Sequence, residues 1–539
     1  MATNPVELRR YIIDFSNLEG GGLWSATTRA KNIGTYIQDD ISLDEHLSIT
    51  YGLRFDVPFF TSNSITNPQV EGYSFVKEDG SATKLSTAQL PSAKLMINPR
   101  FGFNYDVNAD KKTQIRGGVG LFSGRPAFVF ISNAVGNNGM LSGEISQDKT
   151  TAYPFSPNID RNIPKTTPGT PAPSYTIAPI EKKFRFPQVF RTNFAVDQKL
   201  YRDIVGSVEF MFTQSLSNIY YYNANFKPSI ANFSGPDTRP KFAGSSSAVR
   251  INSKVTEAPV LSSRPHGQSM TATVKLEKPL RSKGLGWTVA YNYGRALDYS
   301  LASTIAASSW TAIRSVNGNN RPDLAYSDND LRHRLMGSVT YRIELAKTVG
   351  FQISLFGQTQ NQGRFSYLYS GDMNGDGVTG NDLMYIPKNK SEMNFEQFTS
   401  SGTTYTVQQQ KDALETFIQQ DSYLRNHRGE YAKRNGALLP TLAKFDLSAV
   451  VDLFRQFGKN RHTIQIRGDI FNFGNMINSK WGVADVVNTG TPLTARPAVN
   501  NTPVFRMTPV SNKIDYTTYR KGTSLVDVWQ AQLGVRYIF

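Results

Sequence analysis

Asp372, Asn374 and Asp376 occupy alternate positions of Gly371-Asp372-Met373-Asn374-Gly375-Asp376-Gly377, and Asp382 lies closely behind. Oxygen-bearing side chains at positions one, three and five, then a glycine for a sharp turn, suit Ca²⁺, which gathers roughly six to eight oxygens at about 2.3–2.6 Å. Val378 would add its carbonyl and Asp382 would close the shell. The candidate metal ligands are therefore Asp372, Asn374, Asp376, Val378 and Asp382, and Ca²⁺ is the candidate cofactor. An EF-hand would place a bidentate Glu at position twelve, but Leu383 stands there and no helices are evident on either side. The alternative is a bare Asn/Asp/Gly-rich turn. A bound ion would serve to stiffen an extracellular loop.

Catalytic chemistry has no comparable signal. The chain lacks a Walker loop, HExxH and GxSxG, and without cysteine it has no thiolate nucleophile, disulfide or Cys-based metal site. His46, His266, His333, His427 and His462 are dispersed and nominate no site. The expectation is a protein that is not an enzyme. Asp328, Asp330, Arg332, His333 and Arg334 form a dense charged cluster, read as a salt-bridged loop root in preference to an anion site. Tyr220, Tyr221 and Tyr222 are read as an interfacial girdle in preference to a sugar- or peptide-stacking surface.

The elements that position these residues are strands. In 526–539, Trp529, Ala531, Leu533, Val535, Tyr537 and Phe539 fall on one face, against Gln530, Gln532, Gly534 and Arg536 on the other. Trp529 and Tyr537 lie roughly 26 Å apart at about 3.3 Å per residue, near the spacing of two interfacial aromatic girdles. Similar segments come in pairs across short turns: 31–43 with 47–57, 98–107 with 113–122, 190–200 with 204–213, 271–279 with 287–296, 335–345 with 350–360, and 444–453 with 462–473. Long polar stretches separate the pairs, at 59–96, 124–187, 222–270 and 361–443. Alternating short and long connections are expected of an outer-membrane barrel, with short periplasmic turns and long extracellular loops. A soluble β-sandwich would also alternate, but with turns of more even length. Within 407–427, Ala413, Phe417, Ile418 and Leu424 recur at near-helical spacing and predict a short amphipathic helix.

The totals agree with a barrel. Hydrophobic residues make up 39% of 539, with Tyr 25 and Phe 33, and no run reaches the roughly eighteen apolar residues of a transmembrane helix. The net charge of +16 is scattered over strands and turns instead of being gathered on one element, so nucleic acid is not an expected partner and anionic lipid heads or solutes are. The opening MATNPVELRRYIIDFSNLEGGG has no apolar h-region, so this chain as written is not expected to export itself.

Several stretches together resemble the barrel of Oar-like TonB-dependent receptors: NPRFGFNYDV at Asn98, RGGVGLFSGRPAFVFISNAVGNNG at Arg116, FRFPQVFRTNFAVDQKL at Phe184, and YNYGRALD at Tyr291. The same holds for SDNDLRHRLMGSVTYRIE at Ser327, SGDMNGDGVTGNDLMYIP at Ser370, YLRNHRGEYAKRNGA at Tyr423 and the closing LGVRYIF at Leu533. The resemblance implies an all-β, antiparallel transmembrane barrel of about 22 strands in the outer membrane of a Gram-negative bacterium, an N-terminal plug inside it, and a segment contacting the TonB complex. This chain is expected to supply the C-terminal part, about thirteen or fourteen strands, with plug and N-terminal domain missing. Residues 1–30 form an N-terminal segment with a candidate barrel strand, and 31–539 the partial barrel, including a long extracellular region at 361–443. Leu533, Val535, Tyr537 and Phe539 resemble the signal read by the barrel assembly machinery, an edge strand offered for β-augmentation. The expected partners are outer-membrane lipid, the TonB complex, the assembly machinery and an unknown extracellular solute or protein. Uptake of a large solute is the leading expectation. A surface interaction or adhesion protein and a passive pore are the alternatives.

Overall fold

In the computed structural model, thirteen strands hydrogen-bond in chain order along one antiparallel sheet, and two further short strands join it off that path. The structure describes residues 8–539 except 63, 126, 155, 300, 301, 347, 458 and 459. The thirteen are β1 (Ala30–Ser42), β2 (Leu47–Phe60), β3 (Met96–Asp106), β4 (Thr113–Ser123), β5 (Gln188–Lys199), β6 (Val205–Asn223), β7 (Gln268–Lys278), β8 (Gly284–Asp298), β9 (His333–Ala346), β10 (Val349–Asn361), β11 (Thr441–Phe457), β12 (Asn460–Phe471) and β13 (Gln530–Ile538). All six short-turn pairs expected from the sequence are found, because each joins period-two segments across a few turn residues.

Turn chemistry fixes the tight ends. At β1–β2 the Asp44 carboxylate accepts from the backbone N–H of His46 and of Leu47, each at 2.8 Å, an Asx turn that reverses the chain without glycine. At β5–β6, Arg202 and Asp203 take consecutive positive φ of 55° and 62°, a backbone twist that matches right-twisted flanking strands. Gly458 and Lys459, between the expected segments 444–453 and 462–473, lie outside the described residues. The final strand starts at Gln530, later than the alternation suggests. Asp527 accepts from Ala484 N at 3.1 Å and Ser524 N at 3.3 Å, holding 525–527 as a short turn.

The register aligns one apolar belt across the sheet. Tyr51, Phe101 and Val119 are successive partners, as are Val208, Val274, Tyr291 and Leu335. Val339, Leu355 and Leu447 continue the face, and Val451, Ile466 and Val535 end it. Most of these large apolar side chains are exposed to the surroundings, an arrangement unfavourable in water and favourable in lipid at about 25 cal/mol per Å². The opposite face carries ions instead: Arg116 pairs with Asp197 at 2.8 Å and Glu209 at 3.2 Å, and Arg342 with Asp452 at 3.0 Å. Gln465 also donates to Asp452 at 2.8 Å. Among the described residues the path runs from β1 to β13 without closing.

One expected element is corrected. Leu8–Ser16 is a strand, but it pairs with Ser142–Thr150 in a separate two-stranded sheet, not with β1. Phe15 is buried with Val70, Tyr175 and Val255, so the segment finds its apolar partners in the loop layer. The candidate barrel strand of 1–30 is thus a loop-layer strand, and residues 1–7 lie outside the described residues.

Candidate functional site

Antiparallel strands in chain order send the connections 61–95, 124–187, 224–267, 299–332, 362–440 and 472–529 to one end of the sheet. Instead of trailing, they fold into a packed layer around three buried apolar clusters. One joins Tyr367, Tyr369, Met384, Phe417 and Ile418 to Phe505 and Met507. A second joins Ile131, Phe184, Leu261, Trp310 and Ile313, and the third holds Tyr175, Ile177 and Tyr222. The water-excluded core of the molecule lies here, since the sheet spends its apolar face on lipid. The expected helix is Val407–Gln420, opened by a reciprocal Thr406–Gln409 capping box, and it buries Ala413, Leu414, Phe417 and Ile418.

Tyr220, Tyr221 and Tyr222 form no girdle. They extend β6 beyond the other strands, where Pro259–Arg264 pairs with them, and all three are buried in the loop clusters. The charged cluster at 328–334 is a loop root: buried Asp330 accepts from Ala296 N at 2.7 Å and pairs with Arg332 at 3.5 Å and with Arg364.

Two neighbouring cavities of ≈ 880 and ≈ 540 Å³ open within the layer, and Arg10, Gly377 and Thr379 contribute to the walls of both. Lys241, Asp372 and Arg496 line the larger, and Glu144, Arg250, Glu257 and Trp310 the smaller. A groove of ≈ 380 Å³ with Gly337 and Gly357 in its lining opens instead on the apolar belt, where lipid tails sit. Burial, then the charge on Glu144, pushes the Glu257 carboxyl up to about 7 against the pull of Arg10 and Arg250. One Glu257 carboxylate oxygen and the Arg250 Nε are buried without a hydrogen-bond partner. The lining of the smaller cavity thus includes both an acidic and a basic residue.

The 371–382 loop stands between these spaces. Asp372 accepts from Gly375 N at 2.7 Å, Asp376 N at 3.1 Å and Gly377 N at 2.9 Å. Burial, then the charges on Asp382 and Asp372, holds the Asp376 carboxyl well above the usual carboxylate range. Asp382 serves its own loop: it accepts from Met373 N at 2.8 Å and faces the buried Arg239 at 3.4 Å, which also pairs with Asp237 at 2.9 Å. Burial pushes Asp382 up to about 6 in spite of Arg239. Among the described residues no three His, Asp or Glu side chains form a metal-ligand group by themselves. Nothing in the sequence marks Glu257, Arg250, Arg239 or Asn381, because an isolated polar residue in an irregular loop carries no periodicity. Leu533, Val535 and Tyr537 lie along the edge strand β13 and Phe539 follows its end, 78%, 72%, 57% and 84% exposed.

The sequence pattern of a family described as Outer membrane beta barrel domain matches residues 16–496. No curated protein matches the chain. Among solved structures, the FrpB iron transporter from Neisseria meningitidis (F5-1 variant) is similar at 11% identity over 84% of this chain and 42% of that one, TM-score 0.39. The outer membrane transporter YddB from Escherichia coli is similar at 10% identity over 97% and 49%, TM-score 0.42. The siderophore receptor PirA from Acinetobacter baumannii is similar at 8% identity over 83% and 42%, TM-score 0.37. The chain spans about half the length of these solved relatives, or less.

Proposed function

The chain belongs to the outer membrane beta barrel domain family, and from that membership we propose that it forms part of the wall of an Oar-like, TonB-dependent solute transporter. Its place is the outer membrane. The observation that carries the reading is the pairing of a lipid-facing, ion-lined sheet with a packed loop layer that encloses two charged cavities on one side only. In this account a large solute binds among the loops through Arg10, Arg250, Lys241 and Arg496 on the basic side and Glu257 on the acidic side. It then passes along the ion-lined face when a plug, moved by the TonB complex, leaves the lumen. The free edges of β1 and β13 are paired by further strands, since an open edge leaves backbone groups unsatisfied in lipid. The exposed residues of β13 are read by the assembly machinery before that edge is sealed.

The test is solute depletion. Cells lacking the gene, and complemented cells, would be grown in defined medium supplied with peptides, oligosaccharides and iron chelates, with and without an uncoupler. The account predicts slowed depletion of one solute class, restored by complementation and abolished by the uncoupler. Depletion that depends on the gene but resists the uncoupler would favour the passive pore. Identical depletion of every class would contradict transport.

A further inference from the structure

We propose that a pocket at the long-connection end of the wall, between the start of β3 and the start of β5, binds the phosphate headgroup of an anionic lipid. Lys94 and Arg185 hold the phosphate, and the acyl stem lies against Ile97 and Leu216. The inference rests on the outer-membrane place of the sheet and not on transport.

The pocket exists because the wall parts there. β3 keeps its register with β4 only as far as the Arg100–Gly120 pair. Beyond it Gln188, the first residue of β5, donates to the Ile97 carbonyl and to Asn98 Oδ1, each at 3.1 Å. The opening measures ≈ 500 Å³. Its back is packed, since Phe184 and Phe186 are buried with ring centroids 6.0 Å apart and Phe186 meets Phe60 at 5.7 Å. Its mouth is continuous with the lipid-facing belt, because Ile97 shares the Phe101 face of β3 by alternation, and Leu95, Ile97 and Leu216 are exposed. The eleven residues of β3 climb roughly 25 Å at about 3.3 Å per residue and a tilt of about 40°, the height of the apolar band of an outer-membrane wall. The pocket at its start is therefore level with the lipid headgroups, on the side opposite the short turns.

Charge then selects the occupant. Lys94 and Arg185 line the pocket, and the charges of Arg185 and Lys183 both reach Lys94. Partial burial, then those two like charges, pulls the Lys94 ammonium down against the opposing Glu181. Glu181 is itself committed, pairing with Arg264 at 3.0 Å. Lys94 donates to the Phe184 carbonyl at 3.3 Å, and this neutral partner leaves two of its three N–H donors for an anion. Arg185 is fixed by its backbone: its N–H donates to Ser263 Oγ at 3.0 Å, and its carbonyl accepts from Ser217 Oγ at 3.4 Å. Its side chain stays exposed, with no carboxylate partner among the described residues. Basic groups gathered at a membrane surface without counter-ions are what a phosphorylated headgroup satisfies. A soluble anion would use the cations and leave the apolar mouth bare, whereas a lipid covers both.

The full chain, folded in detergent, would be exchanged into micelles doped with dimyristoyl phosphatidate or with dimyristoylglycerol, which lacks the phosphate. Retained lipid would be counted by native mass spectrometry. The proposal expects saturable retention of one phosphatidate per chain and none of the diacylglycerol. Lys94→Gln and Arg185→Gln should each weaken retention roughly fivefold, and the double variant by about tenfold or more, as surface charge is removed. Arg281→Gln, which removes a cation from the short turn between β7 and β8, should leave retention unchanged. Equal retention of both lipids, displacement of phosphatidate by an equal concentration of inorganic phosphate, or a loss in the double variant no larger than in Arg281→Gln would each overturn the proposal.

Discussion

Glu257 shows how a single side chain can couple the loop layer to pH. Its carboxyl sits near 7 in the folded protein against an ordinary 4.5, through burial first and the neighbouring Glu144 second, with Arg10 and Arg250 opposing. Folding therefore takes up a proton between those values, so the stability this group contributes is complete below about pH 4.5 and is lost as pH rises through 7. Glu257→Gln keeps the shape without the charge. Thermal unfolding in detergent should show the natural chain losing stability from pH 5 to 7.5, and the variant losing clearly less and surviving best by comparison at pH 8. Parallel curves for the two would contradict this assignment. Glu144, also pushed up chiefly by burial, leaves a remainder in the variant. At this scale the sequence was informative only where chemistry repeats. Asp372, Asn374 and Asp376 were legible because their spacing is itself a pattern, whereas Arg239 and Glu257 meet Asp382 and Glu144, partners far away in the chain.

Elements were far easier to read than residues. Alternation located the thirteen strands of the main path because a strand between lipid and water must change polarity at every residue. The helix at 407–420 was legible for the same kind of reason, having a buried stripe at its own period. Leu8–Ser16 and the extension of β6 through Tyr222 were misplaced because apolar segments of the loop layer carry the same local signature as wall strands, and only the partner distinguishes them. The edge strand β13 carries its own prediction. It is paired with β12 from Gln530 to Ile538, and Phe539, just past its end, stacks on Tyr537 with ring centroids 5.6 Å apart. Phe539→Ala removes little native packing but one anchor of a strand that has to be recognised by augmentation. Pulse-labelled cells should accumulate roughly half as much heat-modifiable barrel or less at early times, with unchanged melting of what does fold. Equal early amounts would show that Phe539 is not part of the assembly signal.

At the scale of the whole molecule, two kinds of surface divide the work. The wall keeps its large apolar groups outside and its ion pairs on the opposite face, and the connections build a separate core at one end, where the cavities lie. A wall alone would be a pore, and the loop layer without a membrane-embedded frame would have nothing to hold its six long connections at one place. Everything else depends on the wall separating lipid from water with period two. Because the chain contains no cysteine, single cysteines can be placed along β8 at Thr288, Val289, Ala290, Tyr291 and Asn292 and their reaction with a membrane-impermeant maleimide followed in outer-membrane vesicles. The account predicts that positions 288, 290 and 292 react from water, and that 289 and 291 are protected until detergent removes the lipid. Equal reaction along both faces would contradict it.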